Sequence, residues 1–410
     1  MKGLNFNRLA LAVALAGYAV SATAGTGVED AGHINLGPVE MTPMATLGLG
    51  YDDNVYREGN GELANKGSAV YKLDASAAFK AQKGMSTYEA TLAAKNTSFS
   101  SESDANYIDY GLTGKIHEDI NSRNRLDADF DFGRYHDAGS TINGAIDKEA
   151  PEYTRTKGGL KYGFGSMEAM FRVDLFGNYN KQKYQETNGS AEGNNRKTTE
   201  YGATAYYRFM PKTDALIEIK NRELDYTATG QDGYDVISYL VGLNWEATGK
   251  TTGYAKLGRR ERDSKAANVD KDSSTGWEVG VSYMPLEHSV FQLSTSRDYG
   301  FDSEDPSATN PLFTDGSTYS LNWNHKWTAK IATNANYSFT KEDIENASGV
   351  VQKDRTINRF GLSVDWNVMR NATVSLAYDH TDRDESNKVV NGGADSYKRG
   401  AYMLTGTIAL

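Results

Sequence analysis

Two ladders of charge open the chemistry of this chain, because residues of one sign recur at every second position. Arg125-x-Asp127-x-Asp129-x-Asp131 puts three carboxylates on one side of an extended segment. Lys256-x-x-x-Arg260-x-Arg262 puts three cations on one side of another. Opposed fields of this kind across a channel can draw a charged solute through or hold a constriction. The same residues, paired across strands, would only brace a wall. Arg172 and Arg208 follow the same parity. Tyr135, Tyr206 and Tyr254 would add flat faces to which sugar rings can stack.

Other constellations carry less. His136-Asp137 and Asp379-His380 with Asp382 could serve acid–base chemistry, but alternation sends both histidines toward lipid or a rim, not a shared pocket. No Gly-x-Ser-x-Gly elbow accompanies them, so we expect no enzyme. Asp52, Asp53 and Asn54 are adjacent, yet they lack the twelve-residue loop, central Gly and closing Glu of a calcium loop. No metal site and no cofactor are expected. The chain has no cysteine, which excludes a disulfide scaffold. Its net charge of −10 argues against nucleic acid, which needs clustered cations.

The elements that must position these ladders are strands. Tyr71, Leu73, Ala75, Ala77 and Phe79 alternate with Lys72, Asp74, Ser76 and Lys80. Trp277, Val279, Val281 and Tyr283 share one face, as do Tyr319, Leu321, Trp323, His325 and Trp327. Mean hydropathy is only −0.61, yet there are 26 Tyr and 41 Gly. A transmembrane barrel reconciles the two, since only every second residue meets lipid. Short turns near 82–85, 118–122, 165–168, 210–213, 247–250, 284–288, 328–330 and 368–372 alternate with longer polar links. Short periplasmic turns and long extracellular loops are the outer-membrane pattern.

We therefore expect an all-β chain, an antiparallel up-and-down barrel of about eighteen strands over 44–410. Residues 1–24 read as a signal peptide cleaved near Ala24, with Lys2 and Arg8 before an apolar stretch. Cleavage would remove two positive charges and leave the mature chain at −12. Residues 25–43 read as a short periplasmic tail. Phe164, Phe209, Trp245, Tyr283, Trp327 and Trp366 all fall near short turns, where lipid-facing aromatics gather, and form the expected periplasmic girdle. The acidic links, with Asp302, Glu304, Asp305 and Asp315 in one and Asp382, Asp384, Glu385 and Asp395 around another, read as solvated.

The barrel opens on Tyr51, Asp52, Asp53, Asn54, Val55 and Tyr56. With that signature, the chain resembles the β-barrel porin family of exopolysaccharide-biosynthesis gene clusters, over essentially the whole mature length. It departs from the usual Phe or Trp terminus, ending on Leu410. The resemblance implies an outer-membrane component of exopolysaccharide or capsule secretion. Its partners would be the polysaccharide, a periplasmic export apparatus and outer-membrane lipid or lipopolysaccharide. The residues alone leave open a general or solute-specific uptake channel, or a plugged structural barrel, and do not fix the oligomeric state. Within the signature, parity sends Tyr51 and Val55 to lipid and Asp52, Asn54 and Tyr56 to the lumen. Asp53 is left on the outer face at the membrane boundary, where a charge costs ~0–1 kcal/mol, so Asp53→Leu is expected to be nearly neutral.

Overall fold

In the computed structural model the described residues are 32–137, 141–142, 145–146, 148–185, 195–227, 232–266, 269–301, 313–345, 350–387 and 396–410. The signal peptide, the tail up to residue 31, and Asp302, Glu304, Asp305 and Asp395 lie outside them. Eighteen strands form the wall. They are β1 (Val39–Asp52), β2 (Ser68–Lys83), β3 (Ser86–Phe99), β4 (Tyr107–Asn121), β5 (Asn124–His136) and β6 (Glu152–Phe164). Next come β7 (Phe171–Tyr184), β8 (Arg196–Met210), β9 (Thr213–Tyr226), β10 (Tyr234–Thr248), β11 (Thr251–Ser264) and β12 (Asp272–Leu286). The last six are β13 (Ser289–Phe301), β14 (Phe313–Lys326), β15 (Ile331–Glu345), β16 (Val351–Met369), β17 (Ala372–Asn387) and β18 (Tyr397–Ala409).

Each strand pairs antiparallel with its sequence neighbour, and Met44–Asp52 of β1 pairs with Ala409–Ala401 of β18, closing the barrel. Closure removes the unpaired edge that no protein can leave in lipid. The first strand starts at Val39, five residues before the expected boundary, because residues 39–43 already pair with β2 and with a short strand, Ile34–Leu36. At the short-turn end the hairpins are tight. Lys83 faces Ser86 across a two-residue turn, and Gly84 supplies its φ of +62°. Bulges interrupt the ladder beside several of these turns, at 208/210, 245/248, 283/286 and 367/369.

The two faces separate as alternation requires. Leu47, Leu73, Leu92, Ile217, Val241, Leu257 and Leu376 are exposed on the outside, where lipid covers them. The girdle residues Phe164, Phe209, Tyr283, Trp327 and Trp366 are exposed on the same face near the short turns, and Trp245 is half-buried there. At the other end of the wall, Tyr51, Tyr71, Tyr110 and Tyr402 form a second outward aromatic set, with the rings of Tyr378 and Tyr402 tilted against each other at 4.6 Å.

Candidate functional site

All twelve residues singled out for the lumen project from the inner face, but most are engaged by the wall itself. The three cations of the β11 ladder meet five acids. Lys256 lies 2.8 Å from Glu218 and 3.2 Å from Glu278. Arg260 lies 2.8 Å from Glu278 and 3.3 Å from Asp298. Arg262 reaches Glu345 at 3.2 Å and Asp272 at 3.7 Å. Lys220 adds a contact to Glu278 at 2.9 Å, and Arg222 grips Asp298 with two hydrogen bonds of 3.0 and 3.1 Å. Of the two readings of this ladder, a field across the channel or a brace within the wall, the contacts are those of the brace: its charge is neutralised in place, because buried cations must be paired.

The reach of these pairs shapes the pore. Arg222 is on β9 and Asp298 on β13, four inter-strand steps away, which is about 19 Å along a sheet at ~4.8 Å per step. Their side chains touch, so the wall between them curls until its inner face closes on itself. Toward the long-loop end the same arc is sealed by an apolar cluster of Leu224, Tyr234, Val236, Tyr299 and Phe313. Tyr234 packs edge-on against Phe313 at 4.9 Å and donates to the carbonyl of Gly300 at 2.7 Å. Arg262 lies over the rings of Tyr299 and Phe313 at 5.1 and 4.6 Å. Tyr299 and Phe313 share the parity of outward residues such as Leu293 and Leu321, yet both are buried. The ends of β13 and β14 bend inward over the lumen.

The acidic ladder of β5 is likewise divided among partners. Arg125 donates to Asp174 and to the carbonyl of Gly165, both at 2.7 Å. Asp127 is held by Lys161 at 3.1 Å and His117 at 2.6 Å. Asp131 accepts from Arg155 at 2.6 Å and from the Tyr135 hydroxyl at 2.7 Å. Asp129 faces Lys115 and Gly159 in the register and has no close ion pair among the described residues. Arg172 and Arg208 share Asp214, at 2.7 and 2.9 Å, and Arg172 stacks over Tyr206 at 4.1 Å. Tyr254 lies beside the Lys256 ammonium, 5.8 Å from ring centre.

One cluster was missed by sequence reasoning, and it corrects the reading of Glu385 as solvated, since that side chain is buried among cations. Arg355 lies 3.3 Å from Glu342 and 2.8 Å from Glu385, which also takes Arg383 at 3.0 Å and Lys353 at 3.3 Å. Arg355 shares the inward parity of Lys353 and Ile357 on β16. The wall of β2, β3 and β4 differs. Lys72, Asp74, Lys95 and Lys115 project inward there and form no close ion pair among the described residues. The candidate histidines lie apart: His136 sits at the rim of β5 against Asp109 at 2.9 Å, and His380 stacks with Tyr378 on β17.

The opening signature has a separate job. Arg399 of β18 donates to both oxygens of Asp52, at 2.6 to 3.1 Å, and Asp52 also accepts from the Asn54 amide at 3.0 Å. Asp53 exchanges two bonds with Gly400: its carboxylate accepts at 2.7 Å and its own amide donates at 3.1 Å. Asn54 is fully buried and donates to the carbonyls of Glu58 and Lys398, both at 2.9 Å. Val55 does not meet lipid. It packs with Tyr56, Leu63 and Ala105 beneath the first two long loops, since the chain has left the strand by then. Tyr56 donates to Glu102 at 2.9 Å; burial, then this carboxylate, hold its phenol above the ordinary range. Of the six, Tyr51 and Asp53 stay exposed on the outer face, Asp53 beside Gly400.

Residues 30–405 match the family model described as "Putative beta-barrel porin 2". The chain belongs to that family. It is an outer-membrane β-barrel porin, and its closed wall, lipid-facing apolar side and polar interior are the physical content of that assignment. Among solved structures it is similar to Pseudomonas aeruginosa OpdK determined with vanillate, at 10% identity, covering 90% of this chain and 99% of that one, with a TM-score of 0.46. It is also similar to Acinetobacter baumannii OccAB4, at 12% identity, covering 90% and 98%, with a TM-score of 0.43. No curated protein matches it.

Proposed function

We propose that this porin is a channel for small polar solutes, and that they pass along the β2–β4 side of the lumen. The observation that carries this reading is the contact of Arg222 with Asp298 across four inter-strand steps. It fills the β9–β13 arc with side chains and leaves the unpaired Lys72, Asp74, Lys95 and Lys115 facing the remaining water. A lane lined by charges of both signs suits ions and small hydroxylated solutes. Planar bilayers holding the purified protein should show stable open channels, and liposomes should swell in small sugars but not in long dextrans. Lack of conductance would overturn the reading, and so would free passage of long polymer.

A second reading rests on the Tyr51–Tyr56 signature: secretion of an exopolysaccharide delivered by a periplasmic export apparatus. The six residues are occupied by the barrel seam and its loops, so they supply no contact to cargo. Deleting the gene in its host would then abolish surface polymer while synthesis continues. Normal secretion in the deletion strain would remove this reading and leave the first untouched.

A further inference from the structure

The outward face of β5 to β8, near the long-loop end, gathers more cations than carboxylates bind. Lys181 of β7 stands directly opposite Lys197 of β8. One row further out, Lys183 and Arg134 both flank Thr154. Like charges directly opposite on neighbouring strands destabilise a sheet. Several outward cations elsewhere at this end have carboxylate partners, although Lys341 of β15 has none among the described residues: Lys265 with Asp225 at 2.5 Å, Lys271 with Asp263 at 2.7 Å, Arg297 with Asp315 at 2.7 Å and Lys398 with Asp382 at 3.2 Å. Arg134 has Glu152 at 3.0 Å. Lys197 faces Asp225 across β9, but that carboxylate is taken by Lys265, and Lys181, Lys183 and Lys197 form no ion pair among the described residues. With strands about 4.8 Å apart, three ammonium groups can close on one multiply charged anion.

Toward the membrane from these lysines the wall is hollowed. Gly158 and Gly177 face outward on β6 and β7, and the nearest atom to an added Cβ is a carbonyl oxygen 3.8 or 3.9 Å away. Phe130, Leu160, Tyr179 and Tyr201 stand around this dent in the register. Beside it, Tyr201, Ala203, Ile219, Ile237 and Tyr239 line an apolar cavity of 440 Å³. Lys197 and Tyr201 are four residues apart on β8, about 13 Å along the strand. That is the order in which an acylated phosphate presents itself: anion at the interface, chain below.

We propose that this wall holds one phosphorylated, multiply acylated lipid of the outer leaflet. Its phosphate sits on Lys181, Lys183 and Lys197, and an acyl chain lies along the Gly158–Gly177 hollow into the cavity under Tyr201. The site faces lipid, so it is independent of whatever crosses the lumen. It explains how three cations gather where the one carboxylate facing them, Asp225, is held by Lys265: the membrane supplies the countercharge.

Native mass spectrometry of the full-length barrel in detergent tests the idea, with bisphosphorylated hexa-acyl lipid A as probe. We expect a one-to-one adduct with the wild type. The K181Q/K183Q/K197Q variant should fold at least as well, having lost like-charge repulsion, and bind at least tenfold more weakly. Gly177→Leu, which fills the hollow and leaves the lysines, should also weaken binding. The dephosphorylated lipid and inorganic phosphate should each bind at least tenfold more weakly than the intact lipid. Undiminished binding by the triple variant or by Gly177→Leu would overturn the proposal. So would inorganic phosphate or the dephosphorylated lipid binding as well as the intact one.

Discussion

Replacing Glu278 with glutamine keeps the side chain's shape and removes a negative charge from the point where three cations converge. Lys220, Lys256 and Arg260 approach it at 2.9, 3.2 and 2.8 Å. The carboxylate side chain is 18% accessible and that of Arg260 is fully buried, so little water can replace the lost contacts. Breaking an isolated buried pair costs ~3–5 kcal/mol. Here Glu218 still holds Lys256 at 2.8 Å, and Asp298 still lies 3.3 Å from Arg260. The loss should therefore fall to about 2–3 kcal/mol. The lumen also gains a net positive charge. At about 8 Å from a hydrated pathway, one unit charge contributes about 0.5 kcal/mol, enriching anions and depleting cations by about twofold each. The anion-to-cation permeability ratio should rise about fivefold. Reversal potential in a planar bilayer under a salt gradient reads the second effect. The unfolding midpoint of the detergent-solubilised barrel reads the first. If Glu278→Gln changes neither quantity, the convergence at Glu278 carries no electrostatic load and the account of the constriction fails.

The seam offers two further tests. Arg399→Ala strands the buried carboxylate of Asp52 and should cost about 3 kcal/mol, lowering the temperature at which the heat-modifiable barrel unfolds on a gel, with Arg399→Lys recovering part of it. Asp53→Leu removes the acceptor for the Gly400 amide and should cost about 1–3 kcal/mol; a neutral result by the same assay would restore the view of Asp53 as a mere boundary marker. At the mouth, Tyr234→Ala opens the apolar cluster against Phe313 and should raise single-channel conductance, whereas unchanged conductance would show that this cluster does not obstruct the path.

Much of the architecture was legible because a barrel writes itself into period two. Leu73, Trp277 and Leu321 faced outward as their alternation required, and the eight short turns fell where polar residues interrupted it. Parity also put Arg260 and Arg262 inside. It could not say what stood across from them, since strand spacing in sequence gives neighbours and not chords: the pairing of Arg222 with Asp298 depends on how sharply the wall curls. The same limit hid Asp53. Its partner Gly400 is 347 residues away, and no local pattern points to it. Val55 was misplaced for a different reason. Alternation was carried past Asp52, where the strand ends and the chain turns under its own loops.

The seam also bears on how this barrel is made. Arg399 and Gly400 emerge from the ribosome long after Asp52 and Asp53, and every hairpin between them can zip on local contacts alone. Closing the cylinder is the one step that joins the two ends of the wall, and the loop it must close is the longest the chain can offer, an entropic cost that grows only slowly with length. The clasp of β1 on β18 is therefore expected to be the last event of assembly and the first to reopen. The lifetime of the finished barrel would then be set at this one joint: a kinetic lock, turned by four side chains and a glycine.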